Sequence, residues 1–252
     1  MRKPTTAALA GLLVCAALAS AQSARDVPAT VAELERRLAA YRHVLADWAG
    51  LTRYGSEDAE IRAPALNEDR VVFLGDQITE YWGRADATFF PGRPYFNRGI
   101  AGQTTPQMLV RFRQDVVGLK PKVVVIQGGT NDTARITGPA TRGTLADNLM
   151  SMSDLARANG IRVVLASIPP VCDCVTEQTT MRPPMRIREM NEWIKTYAAE
   201  SGAVFLDYYS ALVAGRDLNK DLTSDGVLPN DAGYRVMAPL AEAAIAEALR
   251  RR

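Results

Sequence analysis

Four short segments of the 252-residue chain gather the groups that could do chemistry. They are Gly75-Asp76-Gln77-Ile78-Thr79, Asn97-Arg98-Gly99-Ile100-Ala101-Gly102-Gln103-Thr104-Thr105, Gly128-Gly129-Thr130-Asn131-Asp132 and Asp225-Gly226-Val227-Leu228-Pro229-Asn230. Asp76 and Asp225 are two carboxylates, a combination that can activate water by acid–base work. Gln77 contributes an amide, which at neutral pH is neither a useful nucleophile nor a base. Thr79, Thr104 and Thr105 carry hydroxyls with no evident base beside them, so capping of turns and helices is their expected work. The single histidine, His43, falls outside all four segments and is expected to pack or to sit on a helix surface. Cys172 and Cys174 lie two apart after Pro169-Pro170-Val171. They can remain free thiols, close a small disulfide ring, or serve a metal or redox role. Two cysteines and one distant histidine are too few for a metal cluster, and no cofactor is indicated.

The elements that must position these segments are legible in the hydrophobic pattern. Short runs that are apolar throughout, Val71 to Leu74, Val123 to Ile126, Val163 to Ala166 and Val204 to Leu206, read as parallel strands covered on both faces. Helical patterns lie between and after them, near residues 106–118, 144–159, 185–201 and 231–250. Strand and helix in alternation imply right-handed crossovers and a doubly wound sheet, with ligands at the carboxyl ends of the strands. Pro169 to Pro184 reads as one long loop leaving such an end. Upstream, Leu34, Leu38, Tyr41, Leu45 and Trp48 recur at steps of three and four, the stripe of an amphipathic helix.

Composition narrows the function classes. The chain is 47% hydrophobic and 23% charged, the balance of a folded globular protein rather than a disordered or fibrous one. Arg2 and Lys3 precede an apolar stretch, Ala7 to Ala19, that ends at Ala19-Ser20-Ala21, the layout of a signal peptide over residues 1–21. The stretch is shorter than the roughly 20 residues a membrane-spanning helix needs, so no transmembrane segment is expected in the mature chain. Export to the periplasm or beyond follows, with an amphipathic helix and linker over 22–62 and the main domain over 63–252. Lys plus Arg number 30 against 28 for Asp plus Glu, and loss of Arg2 and Lys3 leaves 28 of each. No basic stripe exists to hold nucleic acid.

Taken in order, the four segments resemble the blocks of the SGNH hydrolases, the GDSL esterase and lipase family, over about Asp47 to Leu249. The resemblance implies a flavodoxin-like three-layer α/β/α sandwich with about five parallel strands, and an ancestry in ester hydrolysis. In that family the first block carries a serine nucleophile at a strand-to-helix turn. A glycine N–H and an asparagine amide bind the oxyanion, and an Asp-x-x-His segment supplies the base and its orienting carboxylate. Gly102 matches the oxyanion glycine, Asn131 the oxyanion asparagine and Asp225 the aspartate. The other two positions depart from the pattern: Gln77 stands at the nucleophile and Leu228 at the histidine. Without a hydroxyl to attack or a base to take its proton, efficient serine-type hydrolysis is not expected. Two readings follow. One is a non-hydrolytic protein that keeps a pocket for a small acylated or carbohydrate-like ligand. The other is an acyl ester hydrolase working through Asp225, Asp76 and the oxyanion donors. Loss of both partners also fits an esterase disarmed on purpose.

Overall fold

The computed structural model describes residues 30–251 apart from 43–44, 85–87 and 139. The leader expected over residues 1–21 and the lone His43 lie outside the described residues. The chain forms two units that divide between Trp48 and Ala49. In the first, residues 30–42 are helical (α1), and the stripe formed by Leu34, Leu38 and Tyr41 is exposed.

The second unit is built on five strands: β1 (Val71–Gly75), β2 (Tyr95–Gly99), β3 (Val123–Gln127), β4 (Arg162–Ala166) and β5 (Val204–Leu206). Their order is β2-β1-β3-β4-β5 and every pairing is parallel. Between the strands run α3 (Gln77–Glu80), α4 (Thr105–Asp115), α5 (Thr130–Thr133), α6 (Arg142–Ala158) and α7 (Pro184–Ser201). A short helix, α2 (Gly55–Glu60), precedes β1, while α8 (Tyr208–Leu212) and the long α9 (Asp231–Arg250) follow β5. A two-stranded ribbon, β6 (Val213–Ala214) with β7 (Asp217–Leu218), lies between α8 and α9.

Alternation along the strands makes three layers. Val72, Leu74, Val124, Ile126, Val163 and Leu165 face one side and pack with Met108, Phe112, Leu149, Met152, Met190 and Ile194 of α4, α6 and α7. Val71, Phe73, Val123, Val125, Val164 and Leu206 face the other side and pack with Ile78, Tyr208, Met237, Ala241 and Ile245 of α3, α8 and α9. Both sheet faces are therefore covered, which is why the strands read as unbroken apolar runs. The result is the flavodoxin-like α/β/α sandwich expected from the sequence. Because all strands run the same way, the segments after β1, β2 and β3 emerge on one edge of the sheet, at its carboxyl ends.

Candidate active site

Asp76 follows β1 and is the residue that caps the start of α3. Its Oδ1 accepts from the Ile78 N–H at 2.9 Å and caps the helix, and the side chain is wholly buried. Burial is the main cause that pushes its carboxyl up to about 7, with Asp132 adding to the rise and the Ile78 N–H and the Arg182 guanidinium opposing it. The next residue, Gln77, opens α3 and is buried.

Two residues, Gly102 from the loop after β2 and Asn131 from α5, converge on the carboxamide of Gln77. Its Oε1 accepts from the Gly102 N–H at 3.1 Å and from Asn131 Nδ2 at 2.7 Å. Its Nε2 donates to Asn131 Oδ1 at 3.2 Å, so the two amides form a reciprocal pair. Asn131 Nδ2 also donates to the Gln103 carbonyl at 2.9 Å. Gln77, Gly102 and Asn131 thus come together as the four segments implied, and Gln77 Oε1 stands between the two groups that the resemblance nominates as oxyanion donors.

The loop bearing Gly102 is fixed from several sides. Gly102 takes φ +79°, a left-handed conformation suited to glycine, and turns its N–H toward Gln77. Glu80 Oε2 accepts from the Ala101 N–H at 2.5 Å. Arg111 Nε donates to Gln103 Oε1 at 2.6 Å and its Nη2 to the Gly75 carbonyl at 2.9 Å, bracing the second block through hydrogen bonds. Asp132 accepts from the N–H and hydroxyl of Thr105, joining the third block to the start of α4. Gln107 Oε1 accepts from the Thr104 N–H at 3.0 Å, which gives that threonine its helix-start role.

Asp225 has a different setting. Its Oδ1 accepts from the backbone N–H groups of Val227 at 2.8 Å and Leu228 at 2.7 Å, folding its own turn. Leu228 is partly buried against the core, and its side of the turn borders a cavity of ≈ 380 Å³ shared with Tyr81, Arg84, Ser224 and Tyr234. Trp82 is buried, stacked on Tyr234 at 5.1 Å between ring centres, while Tyr81 is only half-buried. Asn191, at the buried side of α7, holds Ile168 by both atoms of its amide, accepting from the N–H at 2.7 Å and donating to the carbonyl at 2.9 Å. That bond pair fixes the start of the long loop after β4. Cys172 and Cys174 in that loop are joined by a disulfide, which selects one of the three states open to them. Among the described residues no group of three or more His, Cys, Asp or Glu is placed to hold a metal ion.

Sequence reasoning did not single out Arg182, which lies in the long loop and is buried. Its Nη1 donates to Gln178 Oε1 at 2.7 Å, and its Nε has no hydrogen-bond partner. Burial holds its guanidinium below the usual range, while the charges of Asp76 and Asp225 oppose that shift. Arg182 is thus a buried cation whose charge is coupled to those of Asp76 and Asp225. No motif marks it, because a loop arginine between Met181 and Pro183 carries no periodic or spacing signal.

A family model for the GDSL-like lipase/acylhydrolase family matches residues 73–236. A solved structure from Bacteroides fragilis NCTC 9343 is 42% identical, with 81% of this chain and 99% of that chain covered and a TM-score of 0.76. A GDSL-like lipase of Bacteroides thetaiotaomicron VPI-5482 is 40% identical, with 79% and 98% covered and a TM-score of 0.74. Esterase TesA of Pseudomonas aeruginosa is 41% identical over 76 residues, and the uncharacterized lipoprotein YqeF of Bacillus subtilis is 36% identical over 80 residues. These last two matches span 29% and 31% of this chain, and only about a third of each relative, 36% and 33%. With the first block, the Gly102 loop and the Asp225 turn all inside the matched span, the chain belongs to the GDSL-like lipase/acylhydrolase family.

Proposed function

We propose that the chain is an exported member of this family that has given up efficient serine-type ester hydrolysis and keeps a pocket for a small acylated or carbohydrate-like ligand. In this reading Gln77 occupies the nucleophile position and Leu228 the base position. Gly102 and Asn131 are the oxyanion donors, and Asp225 is the aspartate left without its histidine. One observation carries it: Gln77 Oε1 already accepts from both donors, at 3.1 and 2.7 Å. A hydrolase needs those donors free to meet the charge that develops on the substrate oxygen. It also needs a hydroxyl and a base, and neither the Gln77 carboxamide nor the Leu228 side chain offers one.

The runner-up, hydrolysis through Asp225 and the donors, meets the same engagement of the donors. Asp225 Oδ1 is committed to two backbone N–H groups as well. Support for a ligand pocket comes from two cavities bordered by residues of the fourth and third blocks. One is the ≈ 380 Å³ space beside Leu228; the other, of ≈ 280 Å³, adjoins Asp132 and is bordered by Arg135, Arg142 and Leu145. Export is supported by the leader pattern, by the Cys172–Cys174 disulfide, a bond that persists in oxidising compartments, and by similarity to a protein named as a lipoprotein. No helix among the described residues is long and apolar enough to cross a membrane.

The test is hydrolysis of a short-chain chromogenic ester by the parent chain, by Gln77→Ser, and by Gln77→Ser combined with Leu228→His. The parent is expected at background and the double variant well above it. Turnover by the unmodified chain would overturn the reading.

A further inference from the structure

Compared atom by atom, the Gln77 side chain has the skeleton of an acetylated serine. Beyond Cβ, O-acetylserine runs Oγ, carbonyl carbon with its oxygen, then methyl. Glutamine runs Cγ, Cδ with Oε1, then Nε2. The two have the same number of heavy atoms in the same branching, and both place a trigonal carbonyl three bonds from Cα. In this chain that carbonyl oxygen lies where a bound acyl oxygen would lie, accepting from the Gly102 N–H at 3.1 Å and Asn131 Nδ2 at 2.7 Å. The terminal Nε2, in the place of the acetyl methyl, makes one more bond, to Asn131 Oδ1 at 3.2 Å.

The geometry points to Gln77 as a built-in replica of an acetyl-enzyme: it fills a two-carbon acyl subsite from within, so the native chain has no room there for the acyl group of a ligand. This rests on Gly102 and Asn131 being the oxyanion donors of the proposed function, and it narrows that reading. Whatever the chain binds is held outside the donor pair, by its alcohol or sugar part. Several features show that the replica is held in place. The side chain is 9% exposed, its oxygen has two donors, and Asn131 is itself tied to the Gln103 carbonyl at 2.9 Å. A buried amide with both ends bonded loses those partners if it swings away, which makes the filled state the stable one.

Shortening the side chain should open a subsite the size of what was removed. The Gln77→Ala protein lacks a CH2–CO–NH2 group, and acetamide restores those atoms, while methyl acetate presents the acetyl group itself. In NMR titrations, both probes are expected to bind Gln77→Ala at least about tenfold more tightly than they bind the parent chain, a margin well inside the affinity open to ligands of this size. Adding Asn131→Ala should abolish the gain. Equal affinity for parent and variant, absence of binding to either, or a gain that survives Asn131→Ala overturns the inference. A gain for acetamide without one for methyl acetate refutes the acetyl likeness. A second measurement uses the unmodified chain: the side-chain NH2 of Gln77 should exchange with solvent at least about tenfold more slowly than exposed glutamine amides, as bonded buried groups do. Free exchange there also overturns the inference. None of these readouts involves turnover, so ester hydrolysis by the parent would defeat the proposed function while leaving this result to stand or fall separately.

Discussion

Arg111 ties strand β1 to the loop that carries Gly102, donating from Nη2 to the Gly75 carbonyl at 2.9 Å and from Nε to Gln103 Oε1 at 2.6 Å. Its Nη1 meets Asp115 Oδ2 at 2.8 Å, four residues on along α4, and both side chains are fully buried. A buried ion pair adds little net stability, since desolvation offsets attraction, but removing one partner strands the other's charge. Arg111→Met is therefore expected to destabilise the fold by about 3–5 kcal/mol in urea unfolding. The double change Arg111→Met with Asp115→Leu should recover most of that loss. A single variant as stable as the parent would show that the loop is held by other contacts.

Gly99 closes β2 where α3 crosses it. A Cβ built there would lie 2.1 Å from the Glu80 N and 2.6 Å from its Cα, both backbone atoms that cannot turn aside. Gly99→Ala should then push α3 away from the sheet edge, at a cost of about 3 kcal/mol or more, above the ordinary range for overpacking. Thermal unfolding checks it. Because α3 begins with Gln77, the same variant should also shift the amide resonances of Gly102 and Asn131. A small change confined to residue 99 would argue against close docking of α3.

How much of this was legible beforehand depends on what each residue's signal was. Val71–Leu74, Val123–Ile126 and Val163–Ala166 announce themselves because both faces of those strands are buried. Strand β2 does not. It lies at the sheet edge and reads Tyr-Phe-Asn-Arg-Gly, and its polar members work locally, with Asn97 Nδ2 donating to the Thr79 carbonyl and Arg98 pairing with Asp58. The family resemblance of the ordered blocks groups Gln77, Gly102 and Asn131, and the strands before Gln77 and Asn131 place those two at one sheet edge. Neither could show that the glutamine carbonyl turns back onto the donors, because that depends on χ angles. Arg182 was invisible for a related reason: its electrostatic coupling to Asp76 and Asp225 is set by the path of a loop, and a loop has no period.

Asp76 gives a prediction in pH. Burial holds its carboxyl at about 7, against 3.8 for the ordinary group, so the folded protein keeps this proton to a higher pH than the unfolded chain does. The contribution to stability is complete below about pH 4 and is lost as pH rises toward 7, where the folded carboxyl ionises, on the order of 3–4 kcal/mol across that window. Asp76→Asn preserves an oxygen to accept from the Ile78 N–H and has no proton to lose. Relative to the parent, it should therefore gain stability steadily between pH 4.5 and 7.5 in urea titrations. A constant difference across that range would mean that Asp76 is already ionised in the folded protein.

Asp225 separates the two functional readings most directly. In the parent its Oδ1 serves the Val227 and Leu228 N–H groups, and an asparagine can accept both bonds through its own oxygen, so Asp225→Asn should leave the turn and the unfolding midpoint nearly unchanged. In the proposed function residue 228 is a leucine and there is no imidazole to orient, so the substitution should alter nothing measurable in the parent's ester turnover. In the Gln77→Ser, Leu228→His background the carboxylate regains a partner. There the loss of its charge should lower kcat/KM by about 10³- to 10⁴-fold, the scale seen when the acid of a serine triad is made neutral. A fall of less than tenfold in that background would mean that the turn holds Asp225 away from residue 228, and that restoring two side chains does not rebuild the triad. A sharp fall in the parent would favour the other reading, a hydrolase that uses Asp225 without a histidine.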